Sequence, residues 1–342
     1  MTLAERGREG AVWFTLAALP LSTAALELGC AVLLVLALID GRAWRFLELP
    51  WASAGLVVLG VGALGALASG GLSAGLGWGW ALAPLVGLAA LPNAPEWVER
   101  RCRVGLAAAA VASVMALSQR VAGLDPRGTQ SHHLTLAYAL VPPFAVAVAR
   151  RNWTLAGLLG LGVLASGSDA APVAVVVAAL VAAGAGAFWS FAGGAVATLA
   201  GLAWLAGASE LGQRAVLWTG GLLLAPGHAG AGGYRVASAP AYDALQPGFW
   251  FPNHAHDSYI QVAATLGAAG WIALLALVTV IWRFGARGAV AGLAGVLVGG
   301  LTQDTLGDLE VARAAFVWVA VLGVSLPAIS GTRWHPDGQA SP

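Results

Sequence analysis

Two of the six histidines in this sequence stand two positions apart, immediately before a long apolar segment. They are His254 and His256, within the run from Trp250 to Gln261. Imidazole accepts and releases protons near neutral pH, so the pair is suited to general acid–base chemistry. Because the apolar segment begins at Ser258, we expect this chemistry at the edge of a membrane.

The overall composition is typical of a membrane protein. Of the 342 residues, 59% are hydrophobic and only 10% are charged, and the mean hydropathy is +0.80. A soluble domain with a solvated surface does not normally have this balance. The formal net charge is +1 and no basic stripe is present, so we expect no nucleic acid partner. All 17 basic residues are arginine, which excludes chemistry that depends on lysine.

The two cysteines do not indicate a disulfide or a metal site. Cys30 lies inside an apolar run and Cys102 follows two arginines, and neither has a second thiol or a histidine at the spacing of metal ligands. The sequence has no Asp-x-Asp cluster either. We therefore expect no metal ion and no cofactor.

Apolar runs separated by charged or turn-forming residues predict an all-α fold, a polytopic membrane protein of about 11 or 12 transmembrane helices. A helix needs about 20 apolar residues to cross a bilayer core. Pro20 interrupts the first run, which is therefore either one kinked helix or two short helices. The runs lie near residues 11–39, 50–68, 74–92, 104–120, 133–149, 153–167, 170–187, 188–206, 258–283, 286–303 and 311–329.

Most of the arginines fall on one side of these predicted helices, and cytoplasmic loops of membrane proteins collect positive charge. We therefore expect that side, together with the N-terminus, to face the cytoplasm. The connections near 121–132, 207–257 and 304–310 then face outward. The chain divides into N-terminal helices over 1–206, an outward loop over 207–257, C-terminal helices over 258–330 and a cytoplasmic tail over 331–342.

The outward loop is the longest interruption of the apolar pattern, and such loops usually serve a function. Its first part, from Ser209 to Trp218, is predicted to form an amphipathic helix on the membrane surface with Ser209 as its N-cap. The stretch from Pro226 to Arg235 is rich in glycine but follows no strand and opens no clear helix. We interpret it as a flexible turn near a substrate rather than as a nucleotide-binding loop.

The motifs of this region, in their order, resemble those of the O-antigen ligase and polymerase superfamily of bacterial envelopes. The family pattern is an Arg-x-x-x-Trp helix start, a Pro-to-Gly-x-Gly turn, and a His-Asn-x-Tyr-Leu motif that enters a transmembrane helix and closes with Gly. The stretch from Gly128 to Ala137 and the pair Pro142-Pro143 resemble the middle portion of the family, so the resemblance covers about residues 115–285. The three matching motifs are Arg214 to Trp218, Pro226 to Gly232, and His256 to Gln261 followed by Leu266-Gly267.

The resemblance implies a metal-independent glycosyltransferase of the O-antigen ligase type. Such an enzyme transfers a glycan from a polyprenyl diphosphate carrier to a hydroxyl of a lipid-linked or glycan acceptor, at the outer face of the bacterial inner membrane. Its partners are these two substrates and the membrane lipids. His256, and with it His254, would supply the base that takes the proton of the acceptor hydroxyl. Arg214, Arg235 and Arg120 would bind the diphosphate, because a guanidinium binds phosphate oxygens in pairs.

Two positions depart from the family pattern. Asp169 stands where the family has an arginine near its anionic donor, and a carboxylate would repel a phosphate there. Arg120, Arg127 or Arg235 could compensate for the missing cation. Asp257 stands where the family has the asparagine of its His-Asn pair.

Other functions remain open from the sequence. A polymerase of the same superfamily differs from a ligase only in its acceptor, and a divergent member could be an inactive scaffold. A transporter normally has repeated halves or polar groups near the middle of the membrane, whereas this sequence has no internal repeat and little at that depth besides Glu27. Glu27 either serves a function or makes a hydrogen bond between helices. His132 and His133 either line the path of the acceptor or cap the helix that follows them.

Overall fold

The computed structural model of this protein is all-helical in the part of the chain that it describes, namely residues 3–39, 60, 64, 95–128, 130, 132–205, 207–224, 234–248, 254–303, 305 and 309–322. Twelve helices and no strand occur within these ranges, which confirms the predicted all-α class for them. In chain order the helices are α1 (Leu3–Ala18), α2 (Thr23–Ile39), α3 (Pro95–Val121), α4 (His133–Ala149), α5 (Trp153–Ala165), α6 (Ala171–Ala182), α7 (Ala187–Leu205), α8 (Gly207–Leu224), α9 (Tyr234–Leu245), α10 (Ser258–Phe284), α11 (Arg287–Gly299) and α12 (Leu309–Val321).

Most of the described helices coincide with predicted apolar runs, although α3 begins at Pro95 rather than near 104, and α8 and α9 lie in the predicted loop. α4 has the predicted bounds, and α5, α6, α7 and α11 lie in or close to theirs. The first run is two helices rather than one, because the chain turns through residues 19–22, around Pro20, before α2 begins. The predicted runs over 50–68 and 74–92 lie outside the described residues, apart from Gly60 and Leu64.

Two of the described helices are long and apolar enough to cross a membrane by length and composition alone, and the second of them is bent within its length. They are Pro95–Val121 and Ser258–Arg283. A straight crossing needs about 20 residues, so for the shorter helices a multi-pass arrangement stays a prediction. The shorter apolar helices have 10–17 residues and are Ala24–Ile39, His133–Ala149, Trp153–Ala165, Ala171–Ala182, Arg287–Gly299 and Val311–Val321.

One end of the helical bundle is rich in arginine. The Arg101 guanidinium there binds the Glu9 carboxylate of α1 at 2.7 Å. The start of α11 meets the end of α4, where a Cβ on Gly288 would lie 3.3 Å from the Val146 Cα. The described arginines of α3, of the turn after α4 and of the turn before α11 therefore lie at one end, whereas the side of a membrane that they face stays a prediction. We call this region, which comprises residues 99–103, 150–151 and 283–288, the arginine end.

The opposite end carries the four histidines that the structure describes, His132, His133, His254 and His256. The Gln130 amide donates to the carbonyl of Leu19 (2.9 Å), which ties the turn between α1 and α2 to the turn before α4. The backbone N–H of Ser258 donates to the carbonyl of Gly300 (2.7 Å), so the start of α10 meets the end of α11. We call this region, which comprises residues 121–128, 130, 132, 166–170, 254–258, 300–303 and 305, the histidine end.

A stripe of glycines on α11 lets this helix pack closely against α4. A Cβ on Gly292 would lie 2.7 Å from the Pro142 Cα, and a Cβ on Gly299 would overlap the ring of Tyr138. Small residues at such spacing allow two helix backbones to approach one another. This packing holds the segment that follows α11, residues 300–305, beside Tyr138 at the histidine end.

α10 is bent sharply at Gly267. This residue has φ 65° and ψ −164°, a combination that is essentially restricted to glycine. Twelve residues of straight helix would span about 18 Å, yet the Trp271 indole N–H donates to the Tyr259 carbonyl at 2.8 Å. The predicted single span over 258–283 is therefore a broken helix. Its short first part carries the histidine motif, and its longer second part runs toward the arginine end.

Two further helices, α8 and α9, occupy much of the predicted outward loop. α8 begins at Gly207, so Ser209 lies inside the helix and the prediction that it is the N-cap is wrong. The Tyr242 hydroxyl donates to the carbonyl of Leu217 at 3.0 Å and also bonds the Tyr234 hydroxyl, which fixes α9 against α8. Most of the glycine-rich stretch, residues 225–233, lies outside the described residues.

Candidate functional site

Asp257 fixes the start of α10. Its Oδ1 accepts hydrogen bonds from the backbone N–H groups of Tyr259 (2.8 Å) and Ile260 (2.9 Å), so it is the N-cap of the helix. Asparagine fills this role equally well, and the change from the His-Asn pair of the family to His256-Asp257 therefore keeps the cap. Burial raises the pKa of Asp257 to about 6, although the two N–H bonds act against that rise.

The turn before the cap holds His256 in an unusual backbone conformation. The Gln261 side chain accepts from the N–H of Ala255 (2.9 Å), and His254 Nδ1 accepts from the N–H of His256 (3.3 Å). His256 itself has φ 52°, a left-handed conformation that is uncommon for residues other than glycine. Such strain persists only where the surroundings impose it, and it is frequent at functional sites.

The His256 imidazole is half-buried and faces the segment after α11. Its Nδ1 lies 3.3 Å from Oε1 of Gln303. In the tautomer with the proton on Nδ1, this nitrogen donates to Gln303 and Nε2 keeps a lone pair. Burial lowers the pKa of His256, the bond to Gln303 opposes that effect, and the charge of Arg214 lowers the pKa further. The ring is therefore neutral at neutral pH and able to accept a proton.

Arg214 reaches the same segment from α8. Its Nη1 donates to the carbonyl of Thr302 at 2.6 Å. Thr302 and Gln303 are consecutive, so two neighbouring residues after α11 hold the guanidinium and the imidazole. The electrostatic effect of Arg214 on His256 is a second sign that the two groups are close. The structure thus brings together the predicted base and the first of the predicted diphosphate ligands.

His254 lies against His256, with 4.3 Å between the ring centroids. Burial lowers the pKa of His254 to about 4, with a further contribution from His256, so its ring is also neutral at neutral pH. Because its Nδ1 accepts the N–H of His256, His254 holds the backbone of the turn. Its geometry favours a positioning residue over the predicted second catalytic one.

Polar residues that the sequence reasoning missed complete the support of this site. Ser258 Oγ lies 3.3 Å from Thr305 Oγ1, and Thr305 in turn donates to the carbonyl of Val296 (3.0 Å). Together with Thr302 and Gln303, these side chains fix residues 300–305 next to the start of α10. The available signal was the polar run Thr302 to Thr305, which directly follows an apolar helix.

The turn between α5 and α6 forms a second polar patch at the histidine end. The Tyr138 hydroxyl faces Ser168 and lies within the electrostatic range of Arg214 and Asp169. Asp169 itself is exposed. Arg120 reaches this turn from α3, because its Nη1 would lie 3.9 Å from a Cβ on Gly167. A guanidinium therefore stands beside the turn that contains Asp169.

The remaining predicted residues are dispersed. Arg127 is exposed and its Nε lies 3.9 Å from Oδ2 of Asp125. Arg235 is the second residue of α9, and its side chain lies outside the described part of the structure. His132 caps α4 by accepting the N–H of Leu134 at 3.2 Å, which favours the capping interpretation. His133 Nδ1 lies 4.0 Å from Oδ1 of Asp125.

Glu27, Cys30 and Cys102 lie away from this site, in surroundings typical of structural residues. Glu27 pairs with the buried Arg313 of α12 at 2.7 Å, so its bond between helices is observed. Cys30 and Cys102 are buried and free. Among the described residues, no group of three or more histidine, cysteine, aspartate or glutamate side chains is placed to hold a metal ion.

No family model matches this chain, and no curated protein matches it significantly.

Proposed function

We propose that this protein is a membrane glycosyltransferase of the O-antigen ligase type. It transfers a glycan from a polyprenyl diphosphate carrier to a hydroxyl of a lipid-linked or glycan acceptor. The histidine end faces outward from the bacterial inner membrane, and the arginine end faces the cytoplasm, in keeping with the usual distribution of arginine. The short apolar helices are part of a multi-pass membrane bundle.

One observation carries this proposal: Arg214 and His256 bond to the neighbouring residues Thr302 and Gln303. A neutral imidazole beside a fixed cation is what transfer from a diphosphate needs. The imidazole accepts a proton from the incoming hydroxyl, and the cation stabilises the negative charge that develops on the leaving group. The two residues belong to separate motifs of the family pattern, and they are distant in sequence.

The reaction follows from these roles. The oxygen of the acceptor hydroxyl forms a bond to the anomeric carbon of the glycan, and its proton passes to Nε2 of His256. The bond between the anomeric carbon and the diphosphate oxygen breaks, and its electron pair leaves with the diphosphate. The products are the glycosylated acceptor and the polyprenyl diphosphate anion, which Arg214 stabilises. His256 then releases its proton to water.

Arg120 supports a donor role for this chain in spite of Asp169. Its guanidinium stands beside Gly167, in the turn where the family has its arginine. A cation can thus reach this region from α3, while Asp169 is free to bond the hydroxyl groups of a sugar. We therefore assign Arg120 to the diphosphate together with Arg214.

Reconstitution tests this assignment. Proteoliposomes that contain the purified protein, a polyprenyl diphosphate glycan and candidate acceptors are compared for wild type, His256→Asn, Arg214→Gln and Arg214→Lys. Loss of the base should lower the transfer rate by about 10²- to 10⁴-fold. Loss of the Arg214 charge should lower it by about 10²-fold, with partial recovery in Arg214→Lys.

His132→Asn is the matched control, because asparagine also caps a helix and His132 lies at the same end of the bundle. Its transfer rate should equal that of wild type. Equal transfer by all variants would overturn the assigned roles. Failure of wild type with every acceptor would favour an inactive scaffold, and glycan flux across sealed vesicles without bond formation would favour a transporter. Growth of the carrier-linked glycan itself would identify the polymerase alternative.

A further inference from the structure

Gln303 bonds to the His256 imidazole from a backbone that is fixed on both sides. The N–H of Gln303 donates to the carbonyl of Gly299 (3.1 Å), and its own carbonyl accepts from Ser258 Oγ (3.3 Å). The side chain is half-buried, and its Oε1 lies 3.3 Å from Nδ1 of His256. Because the amide starts from a fixed backbone, it can hold the ring in one orientation.

The orientation of this amide decides which nitrogen of His256 carries the proton. With Oε1 toward the ring, Nδ1 donates and Nε2 keeps its lone pair. If the amide were turned over, its NH2 group would donate to Nδ1, and Nε2 would carry the proton of the neutral ring. Only the first arrangement leaves Nε2 able to accept the proton of a hydroxyl, and this is the arrangement in the structure.

Gln303 makes this bond without a charge, although it lies next to a bound cation. Thr302, the residue before it, holds Arg214 through its carbonyl at 2.6 Å. A carboxylate at position 303 could orient the same ring, but it would attract the guanidinium and repel a diphosphate. It would also favour the protonated imidazole, which cannot act as a base. A neutral amide avoids both effects.

We propose that Gln303 is a positioning residue that fixes the Nδ1–H tautomer of His256 and, because it is neutral, leaves the charge of Arg214 to the diphosphate. The inference rests on the proposed function. Gln303 acts on the acceptor hydroxyl only through the imidazole. Its substitution should therefore change the rate, the pH dependence and the binding of the donor in ways that separate its two effects.

Two substitutions separate orientation from charge. Gln303→Met keeps the length of the side chain but removes the acceptor, so kcat should fall roughly tenfold, on the scale of one hydrogen bond, while KM for the donor stays constant. Gln303→Glu keeps an acceptor and adds a charge near Arg214, so KM for the donor should rise by about tenfold. Gln246 is exposed just after α9, and Gln246→Met and Gln246→Glu are the matched controls, with kinetics equal to those of wild type.

The pH profile of kcat is a readout that a merely structural role would not move. Among the described residues, the charged and titratable groups around the ring are Arg214 of α8, His254 of the same turn and Asp257 beside it. The added carboxylate of Gln303→Glu should raise the pKa of His256, so the midpoint of the fall at low pH should move up by about one pH unit or more. Loss of the bond in Gln303→Met should move it down. An unchanged midpoint in both variants would overturn the inference.

A second measurement does not depend on transfer. Nitrogen NMR of the purified protein with isotope-labelled histidine shows which ring nitrogen carries the proton, and comparison with His256→Asn identifies the signals of His256. A proton on Nδ1 in wild type, with a mixed or reversed tautomer in Gln303→Met, would support the inference. A proton on Nε2 in wild type, or the same tautomer in both proteins, would overturn it.

The two measurements separate the positioning of the ring from the proposed function. A tautomer that depends on Gln303, without transfer to any acceptor, would support the positioning and contradict the glycosyltransferase. Transfer with the same kcat, donor KM and pH midpoint in wild type and in both Gln303 variants would support the glycosyltransferase and overturn the positioning.

Discussion

The charged and polar side chains at the two ends of the helical bundle make different kinds of bonds. At the arginine end, carboxylates bind guanidinium groups: Glu9 binds Arg101 at 2.7 Å, and Glu99 binds Arg150 at 2.7 Å. At the histidine end, His256 and Arg214 bond to amide and carbonyl oxygens of the segment after α11. Ion pairs between helices hold the helices together, whereas bonds to neutral oxygens orient a side chain. The bonds described here are thus ion pairs at the arginine end and bonds to neutral oxygens around the candidate site.

The largest expected effect is on stability at the arginine end. Glu9→Gln removes the carboxylate that binds the buried Arg101, and this should lower the free energy of unfolding by about 3–5 kcal/mol. Glu99→Gln is the control, because its partly exposed pairs with Arg103 and Arg150 should contribute no more than about 1 kcal/mol. Tryptophan fluorescence during chemical unfolding in detergent measures both. Glycan transfer per folded molecule should be unchanged in either variant, and a selective loss of it would contradict the division of roles between the ends.

The next effect is a pH dependence of stability at the histidine end. Burial raises the pKa of Asp257 from 3.8 to about 6, so the folded protein binds this proton more tightly than the unfolded chain does. Its contribution to stability is present below pH 3.8 and is lost as the pH rises to about 6. In the Asp257→Asn variant, the asparagine side chain can still cap α10, but it does not titrate. Between pH 4 and pH 8, the free energy of unfolding of Asp257→Asn should therefore rise by roughly 2–3 kcal/mol relative to that of wild type.

Parallel unfolding curves of wild type and Asp257→Asn over that pH range measure the difference. A constant difference would show that Asp257 does not titrate as its burial requires. The arginine-end control Glu99→Gln should show no such gain between pH 4 and pH 8.

A smaller effect is expected at the bend of α10. Gly267→Ala places a side chain where φ is 65° and ψ is −164°, which should lower the free energy of unfolding by about 1–3 kcal/mol. Gly157→Ala is the control, because Gly157 lies in α5 with open space around it and alanine should stabilise that helix by about 0.5–1 kcal/mol. Thermal unfolding of both variants measures the difference. If Gly267→Ala unfolded at the same temperature as wild type, this result would contradict the bend that brings Trp271 to Tyr259.

The smallest stability effect belongs to the predicted base itself. Asparagine, like histidine, adopts the left-handed backbone conformation more readily than most residues other than glycine. His256→Asn should therefore change the free energy of unfolding by less than about 1 kcal/mol, close to the net value of one hydrogen bond. The same unfolding measurement gives the change in free energy for His256→Asn. A loss of more than twice that amount would identify His256 as a structural residue and weaken its assignment as the base.

A further effect expected at the histidine end is a pH dependence of the glycan transfer rate. His256 accepts a proton only when it is neutral, and burial lowers its pKa below the ordinary 6.5. The transfer rate should therefore fall as the pH decreases, with a midpoint below 6.5. Rate profiles from pH 4 to pH 8 for wild type measure it, and a midpoint above 6.5 would contradict the burial of the ring.

Local patterns in the sequence were enough to predict much of the fold. Long apolar runs predicted α3, α4, α5, α6, α7, α10 and α11, because a helix that is apolar on all sides needs no long-range information to be recognised. Asp257 before Ser258 is likewise a local N-cap signal. Ser209 had the same local signal, but the prediction that it caps a helix was wrong. α8 begins at Gly207, so Ser209 lies inside the helix and not at its start.

The sequence by itself determined the all-α class, the placement of most arginines on one side of the predicted helices, and the histidine motif as the candidate site. Only the tertiary structure decided that Thr302 and Gln303 support the candidate site, that His254 holds the turn, and that α10 bends at Gly267. The physical reason is that each of these depends on contacts between residues distant in sequence. The packing of α11 glycines on α4 sets where residues 300–305 lie, and neither helix encodes that position alone.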